Sequence, residues 1–72
     1  MDISYNSSVQ DEFLSNLISQ KIFTVIYTIN GFQIRGIILD HDECTILVEA
    51  DGKRQMVYKS AISTIAPFEK NL

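Results

Sequence analysis

Ile22-Phe23-Thr24-Val25-Ile26-Tyr27-Thr28-Ile29-Asn30-Gly31-Phe32-Gln33-Ile34-Arg35-Gly36-Ile37-Ile38-Leu39-Asp40 decides how the chain folds. Two runs rich in β-branched and aromatic residues flank Asn30-Gly31, and such residues favour strands. Asn-Gly is a strong short-range hairpin signal because both positions tolerate the positive φ of a type I′ turn. The stretch therefore predicts a strand over 22–29, a tight turn at Asn30-Gly31 and a return strand over 32–40. Alternation places Phe23, Val25, Tyr27 and Ile29 on one face of the first strand. Gly36, inside the second, predicts a sharp bend where another backbone comes close.

The same grammar continues toward the C-terminus. His41-Asp42-Glu43 reads as a turn, and residues 44–50 as a third strand with Cys44, Ile46, Val48 and Ala50 on one side. A cysteine in that alternation reads as a core residue. Asp51-Gly52 makes a further tight turn before a fourth strand over 53–59. Ser60-Ala61 interrupts it, and a short fifth strand over 62–66 ends at Pro67. Turn signals thus recur at about ten-residue intervals, as in small all-β domains.

Upstream, the period changes. Val9, Phe13, Leu14, Leu17 and Ile18 form one stripe at helical spacing, which predicts a helix over 8–19. Ser7 and Ser8 suit its N-cap, with Gln10 and Asp11 three residues on as in a capping box. Asp11 and Glu12 lie in the first turn, where the helix dipole favours anions. The segment before Ser8 and residues 68–72 read as loose ends.

The expected architecture is a single domain over 1–72, mainly β: an N-terminal α-helix followed by a strongly bent, five-stranded antiparallel open barrel. A domain of 72 residues buries only about 60% of its unfolded surface and is marginal alone. An open barrel also has free edges that template pairing. Edge pairing between copies that closes on itself gives a ring and answers both problems.

Composition excludes several function classes. Six Lys+Arg against nine Asp+Glu give a net charge of −3, the opposite of a generally basic nucleic-acid surface. Any nucleic-acid binding must rest on local cations and base contacts. The only histidine and the only cysteine, His41 and Cys44, lack an orienting third group for catalysis. No spacing fits a zinc or calcium site, and no phosphate-binding glycine loop occurs, so neither metal nor cofactor is expected and the chain is not read as an enzyme. No apolar run is long enough to cross a membrane and no signal-peptide pattern opens the chain. With one cysteine and no export signal, a reducing cytoplasm is the expected location.

Three blocks carry a specific resemblance. They are Gln10-Asp11-Glu12-Phe13-Leu14, the segment from Asn30 through Gly36 to Asp42, and Gly52-Lys53-Arg54-Gln55-Met56-Val57-Tyr58-Lys59-Ser60-Ala61-Ile62-Ser63-Thr64. From about Val9 to Pro67 the chain resembles the Hfq family of bacterial RNA chaperones, within the Sm-like proteins. The most specific part is the Tyr-Lys-x-Ala-Ile-Ser-Thr block. The resemblance implies an Sm-like fold closed into a homohexameric ring by pairing of the fourth and fifth strands. It also implies single-stranded RNA partners, small regulatory RNAs and messages, bound on both faces of the ring in post-transcriptional regulation.

The resemblance further assigns residues. On the helix-bearing, proximal face, where the family holds uridine-rich RNA, Gln10 and Lys59 match positions that bond the base edge, Asp42 a nearby carboxylate, and Tyr58 precedes Lys59 as in the family. Ser60 stands where the family usually has His, and Cys44 where it has a stacking aromatic. Stacking is worth about 1–3 kcal/mol per base, so this pocket is expected to be weaker or retuned. On the distal, adenine-preferring face, Tyr27, Asn30, Gly31, Phe32, Gln33, Ile34, Gln55 and Thr64 match the lining, and Arg35 replaces a common Gln. The rim, an arginine cluster in many members, reads Ile18-Ser19-Gln20-Lys21, leaving Lys21 as its cation. Plain structural roles stay open beside these: Gln10 as a capping residue, Lys59 as a solvated strand end, Tyr27 and Phe32 as strand packing. So does a structural or adaptor ring with weak or altered RNA binding.

Overall fold

The computed structural model describes residues 8–69. In chain order it contains α1 (Ser8–Ser19), β1 (Phe23–Thr28), β2 (Gln33–His41), β3 (Thr45–Ala50), β4 (Lys53–Tyr58), a 3-10 turn over Lys59–Ala61, and β5 (Ile62–Pro67). The strands form one antiparallel sheet in the order β4-β3-β2-β1-β5. The helix and all five strands fall where the sequence places them, within one or two residues. The capping position ahead of α1 and the two chain ends, 1–7 and 70–72, lie outside the described residues.

Leu14 and Leu17 of α1 pack with Ile26, Ile38, Ile46, Val48 and Val57 of the strands in one buried cluster. The helical stripe is sealed only in its second half, because Val9 and Phe13 remain exposed. α1 ends in a Schellman motif. Ile22 N–H donates to Leu17 O (3.0 Å), Lys21 N–H donates to Ile18 O (3.1 Å), and Lys21 takes the left-handed conformation with φ 52°. Ile22 then packs against the core cluster that contains Leu17.

On β1 the core side is Thr24 and Ile26, both fully buried, while Phe23 and Tyr27 keep substantial exposure on the other side. Gly36 makes the close approach that its place in the strand implied. A Cβ placed there would collide with the Glu49 carbonyl oxygen and lie 3.0 Å from its carbonyl carbon. The pairing of β2 with β3 also shifts register between Ile38 and Asp40, a bulge that adds to the bend of the long strand.

The hairpin turn differs from the expectation. Gly31 has φ 97°, and Asn30 is not among the positive-φ residues. Thr28 N–H donates to Phe32 O (2.9 Å) and Gly31 N–H donates to Thr28 O (3.1 Å). The connection is therefore a three-residue loop, Ile29-Asn30-Gly31, with only the glycine left-handed, and not a two-residue type I′ turn. Thr28 Oγ1 fixes it, accepting from Phe32 N–H (2.9 Å) and donating to Asn30 Oδ1 (2.7 Å). At the second tight turn both Asp51 (φ 54°) and Gly52 (φ 75°) are left-handed, as a two-residue turn between paired Ala50 and Lys53 requires.

Four further placements correct the sequence reading. His41 belongs to β2, where it pairs with Ile46, and is not a turn residue. Cys44 precedes β3 and is exposed, not core, because the alternation begins only at Thr45. Lys59 leaves β4 for the 3-10 turn. Phe68 is held: its N–H donates to Phe23 O (2.8 Å), and its ring meets the Phe23 ring edge-to-face at 5.5 Å.

Candidate functional site

Three elements converge on a small pocket of about 360 Å³. The first turns of α1 supply Gln10 and Asp11, the end of β2 and the turn after it supply His41, Asp42 and Glu43, and the 3-10 turn supplies Lys59. Gln10, Asp42 and Lys59, named from the sequence as one pocket, are thus brought together. Tyr58 and Ser60 flank Lys59 and are exposed, as is Cys44, and none of the three lines this pocket.

Lys59 is steered into the pocket from two sides. Its N–H donates to Cys44 O (2.7 Å), which ties the 3-10 turn to the β2–β3 turn. Its Nζ lies 3.3 Å from His41 Nδ1. Asp42 organises the β2–β3 turn. Its Oδ1 accepts from Cys44 N–H (3.0 Å), Thr45 N–H (2.8 Å) and the Thr45 hydroxyl (2.8 Å). These bonds, the Thr45 hydroxyl first, hold the Asp42 carboxyl below the usual carboxylate range. The β2–β3 turn, which follows His41 and accepts the Lys59 N–H at Cys44 O, is therefore pinned by a carboxylate that lines the same pocket. His41, Asp11 and Glu43 are pocket residues that the sequence reading did not assign. The His41–Lys59 contact links residues far apart in sequence, which no local pattern signals.

A second concavity, of about 520 Å³, gathers Gln33, Ile34 and Gln55 from the predicted adenine-binding set and adds Phe23, Arg35 and Asp51. Gln33 pairs with Tyr27 across β1–β2, and Thr64 pairs with Tyr27 across β1–β5, so these three are sheet neighbours. Phe32 stands beside the hairpin with 67% exposure, next to exposed Asn30 and Gly31. Arg35 is engaged: its guanidinium sits 5.5 Å from the Phe68 ring centre and donates to Gln33 Oε1 (3.2 Å). Lys21, which the resemblance places on the rim, lies at the helix end beside a groove formed with Ile18, Ile37 and Leu39.

The two outer strands of the sheet are β4 and β5. β4 exposes Met56 (61%) and Tyr58 (62%). Beside β5 runs a groove of about 270 Å³ walled by Phe13, Leu14, Ile46, Ile62 and Ile65. Both ends of the sheet are thus open strand edges, which are templates for pairing with a further strand.

Comparison with known proteins gives one consistent result. Residues 9–71 match the family model described as Hfq protein. The RNA-binding protein Hfq of Bacillus thuringiensis (strain Al Hakam) is 46% identical over 65 residues, covering 90% of this chain and 86% of that protein. The corresponding protein of Bacillus cereus (strain B4264) gives the same figures. Among solved structures, a crystal structure of the pleiotropic translational regulator Hfq superposes with a TM-score of 0.80 at 32% identity, covering 82% of this chain and 98% of the other. An Hfq protein from Anabaena sp. superposes with a TM-score of 0.79 at 29% identity, covering 86% and 100%.

Proposed function

The chain belongs to the Hfq family, a family of RNA-binding proteins and not of enzymes, and we propose that it is an RNA chaperone acting as a homohexameric ring. Neighbouring copies join β4 to β5. Uridine-rich single strands sit at the Gln10–Lys59 pocket, and adenine-rich strands sit along Tyr27, Phe32, Gln33 and Gln55. The biological role is regulation of messages by small RNAs in the cytoplasm.

The observation that carries this reading is the pocket itself. Gln10 near the start of the described chain and Lys59 near its end meet in one cavity. An amide and an ammonium are the groups that serve uracil carbonyls. The net charge of −3 fits recognition through such local contacts, with little non-specific attraction to phosphate. Repetition of each pocket around a ring raises avidity without new contacts.

Titration of labelled oligo-U, oligo-A and oligo-C by fluorescence anisotropy, with ring mass from light scattering, tests the reading. Binding of oligo-U and oligo-A above oligo-C by a six-subunit particle is expected. A second reading, an adaptor ring with weak RNA binding, has one observation in its favour: Asp11, Asp42 and Glu43 share the walls around Lys59. In that case the ring forms and all three oligomers bind equally poorly.

A further inference from the structure

We propose that His41 is the specificity-determining side chain of the Lys59 pocket and that it selects uracil over cytosine, an inference that rests on the RNA-binding reading of that pocket. A lysine ammonium has three donors and no acceptor. At 3.3 Å from Lys59 Nζ, Nδ1 of His41 is therefore the acceptor. That contact leaves the ring proton on Nε2, a second N–H donor beside the ammonium.

The residue is held in place from both sides. The His41 N–H donates to Asp40 Oδ1 (2.8 Å), and His41 pairs with Ile46 at the end of β2. The side chain is half-buried, and among the described residues that line the pocket it is the one aromatic ring. Lys59 and His41 together thus offer two donors separated by the imidazole ring, with the Gln10 amide as an adaptable partner in the same lining.

Uracil presents two carbonyl oxygens on either side of an N–H, and cytosine replaces one carbonyl with a donating amino group and the N–H with an acceptor nitrogen. Lys59 Nζ lies at the Nδ1 side of the imidazole and Nε2 lies across the ring, so the two donors are spread for the two outer positions of the edge, which are both carbonyls on uracil but a carbonyl and an amino group on cytosine. A site built to hydrogen-bond a group discriminates against an analogue that cannot return the bond.

The experiment is an anisotropy titration of labelled oligo-U, oligo-C and oligo-A with the full chain and with its His41→Phe variant, which keeps a ring and removes both nitrogens. Light scattering monitors the ring mass of both proteins. The preference for oligo-U over oligo-C should fall roughly three- to tenfold in the variant, the loss of about one hydrogen bond, with oligo-A binding unchanged. A His41→Phe preference equal to that of the wild type overturns the inference and leaves RNA binding standing. Absence of any oligo-U binding by the wild type sinks the RNA reading of the pocket, and this inference with it.

Discussion

Gly36 of β2 lies against Glu49 of β3 so closely that a Cβ on the glycine would come within 3.0 Å of the Glu49 carbonyl carbon and 3.1 Å of the Ala50 Cα. Both contacts are to backbone, which cannot swing aside. The approach lets β2 and β3 run backbone against backbone in the strand that also carries the bulge between Ile38 and Asp40. Gly36→Ala should therefore destabilise the fold by about 1–3 kcal/mol, the cost of overpacking a tight site. For a domain of this size that is a fall in Tm of several degrees or more, read by thermal melting followed by circular dichroism.

Asp42 gives a prediction in pH. Its carboxyl is lowered by bonds from the Thr45 hydroxyl, the Thr45 N–H and the Cys44 N–H, so the folded state holds the ionised form more tightly than the unfolded chain does. The stability this contributes is complete above the ordinary Asp range and is lost as pH falls through the lower folded value. Acid melting should lose this component in the wild type. Asp42→Ala should have a lower Tm at neutral pH and a shallower acid dependence, because no carboxylate is left to protonate. Asp42→Asn keeps an oxygen acceptor for the Thr45 and Cys44 donors and should fall between the two.

The repeating parts of the fold were legible in the sequence. Helical spacing found Leu14 and Leu17, and alternation found Ile46 and Val48, because burial on one face leaves a periodic trace. Gly36 was legible because a glycine inside a strand marks a bend or a close backbone approach. The Asn30-Gly31 dipeptide misled: Thr28 Oγ1 bonds both Asn30 Oδ1 and Phe32 N–H, which favours the longer loop. Cys44 misled because it extends an alternation that actually starts at Thr45. In the pocket, Gln10, Asp42 and Lys59 were reached through the family motif. His41 was missed because its partner, Lys59, is distant in sequence and the contact has no period.

Lys21 occupies a position where glycine is the usual residue. Its φ of 52° puts a Cβ into the left-handed region, at a cost of roughly 1–2 kcal/mol that glycine avoids. Glycine in turn loses more chain entropy on folding, about 0.5–1 kcal/mol. Lys21→Gly should therefore stabilise the domain by roughly 0.5–1 kcal/mol, measured by urea unfolding. On the proposed ring Lys21 is the rim cation, and the same variant should then bind RNA with a slightly flatter dependence on salt.

Phe68 links the end of the described chain to the second concavity. Its ring packs edge-to-face on Phe23 at 5.5 Å and carries the Arg35 guanidinium at 5.5 Å from its centre. An aromatic pair contributes about 0.5–1.5 kcal/mol beyond burial, and a cation over an exposed ring about 0.5–1 kcal/mol. Phe68→Ala should cost roughly 1–2 kcal/mol of stability. It should also release Arg35 beside Gln33 and Gln55, changing oligo-A affinity and leaving oligo-U affinity as it was. Denaturant unfolding and paired anisotropy titrations check the two parts.

The proposal of two separate RNA sites on one ring requires that each be weakened alone. Lys59 sits in the pocket with Gln10 and His41, and Tyr27 sits in register with Gln33 and Thr64. Lys59→Ala removes a charged donor, worth about 1.5–3 kcal/mol in a hydrogen bond, so oligo-U binding should weaken by tenfold or more. Tyr27→Ala removes an exposed π-face, and stacking of one base on such a face contributes about 1–3 kcal/mol. Its loss should fall on oligo-A. The test is the cross term: each variant is titrated with both oligomers at one salt concentration, since affinity without salt held fixed has no meaning. Independent sites give two large effects on the matching oligomer and two near zero on the other. Equal losses in both columns would mean that a single surface serves both sequences, and that the division between the Lys59 pocket and the Tyr27 surface does not exist.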